Sequence, residues 1–564
     1  MKKGFIIISY KLIKYMKKLS LLLLFVFITG FINAQTINEK LVYEGLKSDS
    51  YTLYDFSLDE TTGTYVYSTY DTVKQTSRLT SNKGNSEEYG YFQINDVVYD
   101  NSGNYFAVAI NTRNDDNYTS DFFLLKNGKE IFTSSNIQTP LSRRDDGIYF
   151  IANDKGKDTR IKYNFATEQL EFGNRYDTIF LAAAKKVMGE GEPAFEIGFT
   201  KDGKEYYAAS KNKKHVFVVG DKEFGPYDEI IYYNAYEDMK GNVCFVAKEI
   251  VKGKNYYFVV QGDKKYSKFA SINLFQTFDK DNTPIYSASE NFDEQYPSDA
   301  YIVKGSEIIS KNFSKGAYDI MFTPSGKLVY TGSDTLKDGT YVTKLFIDGK
   351  EYASASSLWN ITFYNDDTPY YYVSDANYNT SLFKGKSRIT DQVYSYVSSF
   401  NVNKSGVRSY VGTIYGDYDN NIPNKSYYVI GDNKFGPFDN LFMGEYEPTF
   451  MLVNDNSDYV YVGSNSTKGS EGDIITKYFA VGKDWKSNEF DFISDLSTYN
   501  NNFYYLGFLY DNDGGLNKNI INKNGTPIAV DYTSVTRFKL DEKKGVITFL
   551  GQKGNKVYSV EIKL

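Results

Sequence analysis

Two aspartates set two residues apart, Asp511 and Asp513 in Asp-Asn-Asp-Gly-Gly515, place carboxylates as a calcium loop does, and Asp279-Lys-Asp281 has the same spacing. Neither run continues to a distal glutamate at the EF-hand position, so Asp511 and Asp513 stand as candidate metal ligands without a completed loop. Other chemistry is narrowed by what is scarce. One cysteine, Cys244, excludes an intramolecular disulfide and zinc sites built from four cysteines or two cysteines and two histidines. One histidine, His215, excludes two-histidine zinc centres. His215 opens a strand after Lys213-Lys214 and reads as an ordinary surface residue, while Cys244 between Val243 and Phe245 reads as a small buried apolar side chain. Gly189-Glu-Gly191-Glu-Pro-Ala194 matches a dinucleotide fingerprint in form, but strand-like Phe195-Glu-Ile-Gly-Phe199 follows where a helix is required. There is no G-x-S-x-G elbow and no Walker loop. No catalytic residue and no cofactor is assigned, and the 71 acids, with many possible pairs, leave carboxylate catalysis open.

The sharpest motif occurs twice. Phe224-Gly225-Pro226-Tyr227-Asp228-Glu-Ile230 and Phe435-Gly436-Pro437-Phe438-Asp439-Asn-Leu441 share a pattern, with looser versions around Asp177, Asp319 and Asp491. A functional reading makes these aspartates a ring of ligands or acids. A structural reading has Gly-Pro end an edge strand, the aromatic pack between repeats, and the aspartate cap the next turn through backbone amides. Recurrence favours the structural reading, because a catalytic residue need occur once whereas a packing contact is needed in every repeat.

The elements that must position these residues are repeats. A Phe- or Tyr-led strand ending in a polar turn recurs at Gly63, Gly103, Gly147, Gly203, Gly241, Gly326, Gly406 and Gly545, with glycine-free copies near Asn282, Thr368, Ser457 and Asn501. These twelve turns are spaced by about 44 residues, the length of a four-stranded propeller blade. Between them lies a second turn, as in Asn127-Gly-Lys129, Gly220-Asp-Lys222, Asp348-Gly-Lys350 and Asn524-Gly525, whose Gly and Asn supply the positive φ of tight hairpins. Two hairpins per repeat make four strands. The fold class is therefore all-β, with about twelve propeller blades. Twelve exceeds the common four to eight, so two propellers of about six blades are expected, residues 35–296 and 297–564. A lone C-terminal strand, Lys556-Val-Tyr-Ser-Val-Glu-Ile562, and an unpaired start at Lys40-Leu-Val-Tyr43 predict pairing of the chain's first and last strands. Ala182-Ala-Ala-Lys-Lys186 is the one candidate helical turn, in a loop insertion of a longer fourth repeat. Most of the 54 Tyr and 41 Phe are expected as packing between blades.

At Phe322-Thr-Pro-Ser-Gly-Lys327 and Phe199-Thr-Lys-Asp-Gly-Lys204 the chain resembles the WD-repeat-like, TolB-like propellers of exported bacterial proteins, whose repeats carry Phe-Ser-Pro-Asp-Gly-Lys turns. The resemblance implies a binding or scaffolding propeller and brings no catalytic residue with it.

Residues 1–34 hold six lysines, no acid and the apolar run Leu19–Ile28, which reads as a secretory signal cleaved after Ala34, with Met16 as an alternative start to Met1. The run is shorter than the ~20 residues a spanning helix needs, so the cleaved chain is expected not to span the membrane. Its loss takes the formal charge from −7 to −13, and nothing clusters Lys and Arg into a basic face, so nucleic acid is not an expected partner. The expected location is the periplasm or the medium. The expected function is non-catalytic binding of an envelope protein, peptide or surface partner. A glycan-binding or glycoside-cleaving propeller using channel carboxylates is the alternative.

Overall fold

The structure is a computed structural model that describes residues 36–45, 56–92, 96–112, 119–180, 183–185, 194–292, 298–416, 424–439, 451–468, 474–510 and 516–564. These residues form strands and turns, without a helix among them. Contacts gather the chain into two compact units, residues 55–440 and residues 441–564 together with the N-terminal segment.

Twelve antiparallel blades follow one another. The larger unit holds blades 1 to 9, at residues 56–89, 91–134, 137–176, 178–227, 229–265, 271–308, 317–355, 357–388 and 396–439. The smaller holds blades 10 to 12, at 451–482, 492–532 and 534–563, the last completed by Ile37–Glu44. The first six complete blades end at residue 308. In blade 10 three strands form a ladder, and the fourth position is held by the single bridges Tyr478–Phe490 and Val481–Lys486.

The polar turns supply the periodicity for a backbone reason. The hairpin between the first and second strands needs a left-handed residue, and glycine meets that need at Gly103, Gly203, Gly241, Gly326 and Gly406. Asn282, Ser457 and Asn501 adopt the same conformation, with φ of 66°, 66° and 62°, so three of the glycine-free copies are true turns. The turn is held from its first side chain: Asp100 Oδ1 accepts the N–H groups of Ser102 and Asn104, both at 2.8 Å, and Asp279 Oδ1 those of Asp281 and Thr283 at 2.9 and 2.8 Å. Asp279 therefore builds a turn and pairs with Lys304 at 2.6 Å.

The first strand of each of several blades carries a bulge at one fixed phase. Register slips at Tyr318/Met321, Trp359/Thr362, Ser398/Asn401, Ser494/Ser497 and Thr536/Lys539. The positive-φ residue inside each slip is Asp319, Asn360, Ser399, Asp495 or Arg537. The insertion in the fourth repeat is not helical: Ala183–Lys185 pairs with Ala194–Glu196 as a hairpin inside the first-strand region of blade 4. Local Ala and Lys preference for helix yields here to strand pairing.

The expected pairing of the chain's ends is present. Ile37–Glu44 lies antiparallel to Lys556–Lys563 as the fourth strand of blade 12, from Ile37 opposite Ile562 to Glu44 opposite Lys556. Apolar cores sit between neighbouring sheets: Phe106, Ile110, Ile148 and Phe150 join blades 2 and 3, and Phe217, Tyr227, Phe245 and Phe258 join blades 4 and 5.

Candidate functional site

The repeated motif lies at the seam where one blade's last strand hands over to the next blade. Gly225 and Gly436 have φ of 128° and 115° and sit on outer strands, each followed by a cis peptide to Pro226 and Pro437. A Cβ on Gly225 would come 3.0 Å from the His215 carbonyl oxygen, and one on Gly436 2.8 Å from that of Ser426, so both positions need glycine for conformation and for space. The two copies belong to blades 4 and 9 and do not form one site.

In the blade 4 copy the aromatic that ends the motif packs onto the following blade. Tyr227 shares a cluster with Ala247. In other seams the receiving residue is glycine: an added Cβ at Gly332 would lie 2.2 Å from the Phe313 ring, at Gly412 2.5 Å from Tyr394, at Gly507 2.5 Å from Phe490 and at Gly551 2.4 Å from Tyr532. The residue after the ring then clasps the next blade's second strand. Carboxylates of Asp177, Asp228 and Asp491 accept the backbone N–H of Asn212 at 2.8 Å, Ile250 at 2.7 Å and Tyr510 at 3.0 Å. Ser314 and Ser395 hydroxyls accept those of Thr335 and Tyr415, both at 3.0 Å. The three aspartates also pair with Lys157, Lys214 and Lys477 on the third strand of the preceding blade. The lysine and the backbone N–H hold Asp177 and Asp228 below the usual aspartate range.

Asp319 does not belong to this series. It is the left-handed residue of the blade 7 first-strand bulge, its Oδ2 accepting the Thr331 hydroxyl at 2.8 Å, and the seam position is taken by Ser314. Burial pushes the Asp319 carboxyl up, opposed by that hydrogen bond. The side chain of Asp439 and the candidate pair Asp511 and Asp513 lie outside the described residues, as do residues 189–193 of the glycine-rich match. Among the described residues no group of three His, Cys, Asp or Glu side chains is placed to hold a metal.

His215 is half-buried, with its ring stacked on Phe180 at 5.3 Å, and Nδ1 faces the Ile230 N–H at 3.4 Å. Desolvation lowers its pKa, with Glu229 opposing. Cys244 is fully buried among Val246, Val259 and Tyr286, and burial raises its thiol pKa. The Cys244 thiol is closed off from solvent.

The two edges of the blades differ. The edge made by the first and third hairpins bears short turns and two clefts. One, of about 490 Å³, is lined by Asp59, Asp100 and Arg143. Its acids are committed to their own turns: Asp59 to Thr61 N–H at 3.1 Å and to the Thr62 hydroxyl, Asp100 to its turn amides. Arg143 donates to Tyr99 O at 2.6 Å and Asn101 Oδ1 at 2.5 Å. The other, of about 660 Å³, is lined by Lys204, Phe224, Asn242 and Asp263, with Lys222 and Asp263 paired at 2.6 Å.

The opposite edge carries the links between second and third strands, which run from two residues at 155–156 to eleven at 290–300. Variable loops on a repeated scaffold are where binding residues accumulate. On this edge, blades 7 to 9 expose five tyrosines: Tyr318, Tyr341, Tyr378, Tyr396 and Tyr415, between 40% and 84% accessible. Leu336, Val393 and Ile414 are exposed on the same edge. Strand direction explains the gathering. Tyr318 and Tyr396 open first strands, Tyr341 opens a third strand, Tyr378 lies in a second-to-third loop, and Tyr415 follows a second strand. All of these positions fall on one edge of an antiparallel blade. Burial and then neighbouring Tyr341 push the Tyr318 phenol up, and the Tyr415 N–H donates to the Ser395 hydroxyl, next in sequence to Tyr396. The sequence pattern gave no sign of this surface, because exposure depends on which end of which strand each tyrosine occupies.

No protein-family model matches the chain, and no curated protein does. Among solved structures it is similar to TolB from Acinetobacter baumannii, at 14% identity and a TM-score of 0.21 over 52% of this chain and 77% of that one. It is also similar to the β-propeller domain of the Trilobed protease from Pyrococcus furiosus, at 10% identity and 0.22 over 58% and 92%. A third is an oligogalacturonate lyase from Vibrio parahaemolyticus, at 10% identity and 0.24 over 65% and 98%. Likenesses of this size carry no argument about activity; the chain is a β-propeller protein on the evidence of its own twelve blades.

Proposed function

We propose that the protein is a non-catalytic binding propeller of the cell envelope that holds a protein or peptide partner on the tyrosine-rich edge of blades 7 to 9. The observation that carries this reading is the concentration of exposed aromatic side chains there. Exposed apolar patches of this kind mark interaction surfaces, and tyrosine supplies rigid contact area with a polar tip. The committed state of the acids in the turn-edge cleft supports binding over carboxylate catalysis. The leader-like composition of residues 1–34 supports the export part of this reading.

The test is capture from envelope extracts by the purified full chain beside a Tyr378→Ser/Tyr415→Ser variant, with a glycan array in parallel. A protein captured by the parent and lost by the variant is the expected result. A glycan signal without any tyrosine-dependent protein overturns the reading in favour of sugar binding. N-terminal sequencing of the exported product should begin at Gln35, and retention of residues 1–34 would contradict export by cleavage.

A further inference from the structure

We infer that the partner segment seated on the tyrosine edge of blades 7 to 9 is basic, an extended run of lysine or arginine whose cationic groups lie over the open tyrosine rings. The inference rests on the binding reading above and adds the chemistry of the partner.

Three observations carry it. First, in this part of the molecule aromatic rings are covered by the chain's own cations. Lys434 lies 4.2 Å from the Tyr427 ring centre and 5.3 Å from that of Tyr394, Lys384 lies 5.3 Å from Tyr370, Lys386 lies 5.7 Å from Tyr352, and Lys311 lies 4.9 Å from Phe313. A cation over the face of an aromatic ring is drawn by the ring quadrupole. Second, among the described residues none of Tyr318, Tyr341, Tyr378, Tyr396 and Tyr415 has such a cation or a stacked aromatic neighbour, although they are among the most exposed rings of these blades. Third, the loop that presents Tyr378, the most exposed of the five rings, carries an acid without a cationic partner among the described residues. Asp319, Asp338 and Asp375 have no cationic partner among the described residues; Asp338 accepts the backbone N–H and the hydroxyl of Thr340, Asp375 backbone N–H groups and an asparagine amide of its own loop, and Asp319 a threonine hydroxyl. Exposed Lys315 and Lys337 offset two of them in blade 7, which leaves Asp375 as the sole charge of the loop that presents Tyr378. The whole chain adds a formal charge of −7, which attracts cations at long range.

The experiment measures binding of the full chain to an extended Lys-Ser/Arg-Ser repeat peptide, to its Glu-Ser counterpart and to an uncharged Gln-Ser counterpart. It is run at low and physiological salt for the parent and for Tyr378→Leu/Tyr415→Leu, Tyr378→Phe/Tyr415→Phe and Tyr91→Leu variants. Tyr91 is an exposed tyrosine of blade 2 and serves as the control. The expected result is binding of the basic peptide alone, weakened about tenfold by the double leucine change, within about twofold of the parent for the phenylalanine change, and unaltered by Tyr91→Leu. Equal binding of the uncharged or acidic peptide, with the same dependence on Tyr378 and Tyr415, overturns the inference and leaves the binding edge standing. Basic-peptide binding that ignores the leucine changes overturns it as general charge attraction. Failure of every peptide to bind overturns the inference, and with the extract capture also negative it overturns the binding reading too.

Discussion

At the scale of single residues, the seam glycines say most about how the blades are kept apart. Gly332, Gly412, Gly507 and Gly551 have ordinary extended backbones, so what they supply is absence of volume under a ring from the preceding blade. Gly332→Ala should therefore cost about 1–3 kcal/mol through overpacking against Phe313, read as a lower denaturation midpoint. Pairing it with Phe313→Leu should recover part of the loss; a double variant no better than the sum of the singles would refute the ring contact as cause. These glycines were not legible in the sequence. A strand glycine reads only as a weak strand until its partner ring is known, and the seam aspartate is hidden wherever serine replaces it, as at Ser314 and Ser395. What was legible was the turn residue, since a left-handed backbone selects few side chains. Even there, Asn282, Ser457 and Asn501 were found by period rather than by type.

At the scale of elements, the seam is reinforced by tyrosine–carboxylate pairs between neighbouring outer strands. Tyr89 donates to Glu130 at 2.5 Å, Tyr176 to Glu223 at 2.7 Å and Tyr532 to Glu39 at 2.5 Å. Lys211 completes the second at 3.2 Å and Lys553 the third at 2.6 Å. Burial raises the Glu39 pKa, but the bonds from Lys553 and Tyr532 outweigh it and hold the carboxyl below the usual range. A group lowered in this way contributes stability above its ordinary pKa and loses it as pH falls through the lowered value. Glu39→Ala should cost about 2 kcal/mol in neutral solution, the scale of charged hydrogen bonds lost from one partner. The difference from the parent should shrink in acid, and a difference independent of pH would show that Glu39 acts by packing alone. The first and last strands were legible as partners because each lacked a hairpin mate. The hairpin at 183–185 and 194–196 was not, because Ala and Lys favour helix locally and pairing across the insertion decides otherwise.

For the molecule as a whole, the tyrosine content divides into two populations that composition merges. One population is buried between sheets, and burial holds the phenols of Tyr207, Tyr227, Tyr266, Tyr371 and Tyr504 up at about 12, against an ordinary 10.0. A raised phenol favours the folded state fully below pH 10 and withdraws that support between pH 10 and about 12. Stability should therefore be level up to about pH 10 and fall steeply beyond it, with the ultraviolet signal of phenolate appearing together with loss of structure for the buried rings. Smooth ionisation of the buried rings without unfolding would contradict the packing described. Fold class and blade number could be read from the sequence because turns recur in every repeat. The tyrosine-rich edge could not, because it depends on three-dimensional end effects in three particular blades.

The strand Ile37–Glu44 has a consequence in time. It leaves the ribosome before any of the twelve blades, yet its partner Lys556–Lys563 is made after eleven of them, so it waits with an open edge through the synthesis of the chain between them. Its sequence Ile-Asn-Glu-Lys-Leu-Val-Tyr-Glu suits that wait: Asn38, Glu39, Lys40 and Glu44 space its apolar side chains, and most of it remains solvent-exposed even when paired. Charged side chains on an unpaired edge suppress strand-to-strand association. The same glutamate that fastens the finished blade thus helps to keep the unfinished chain from fastening to its neighbours.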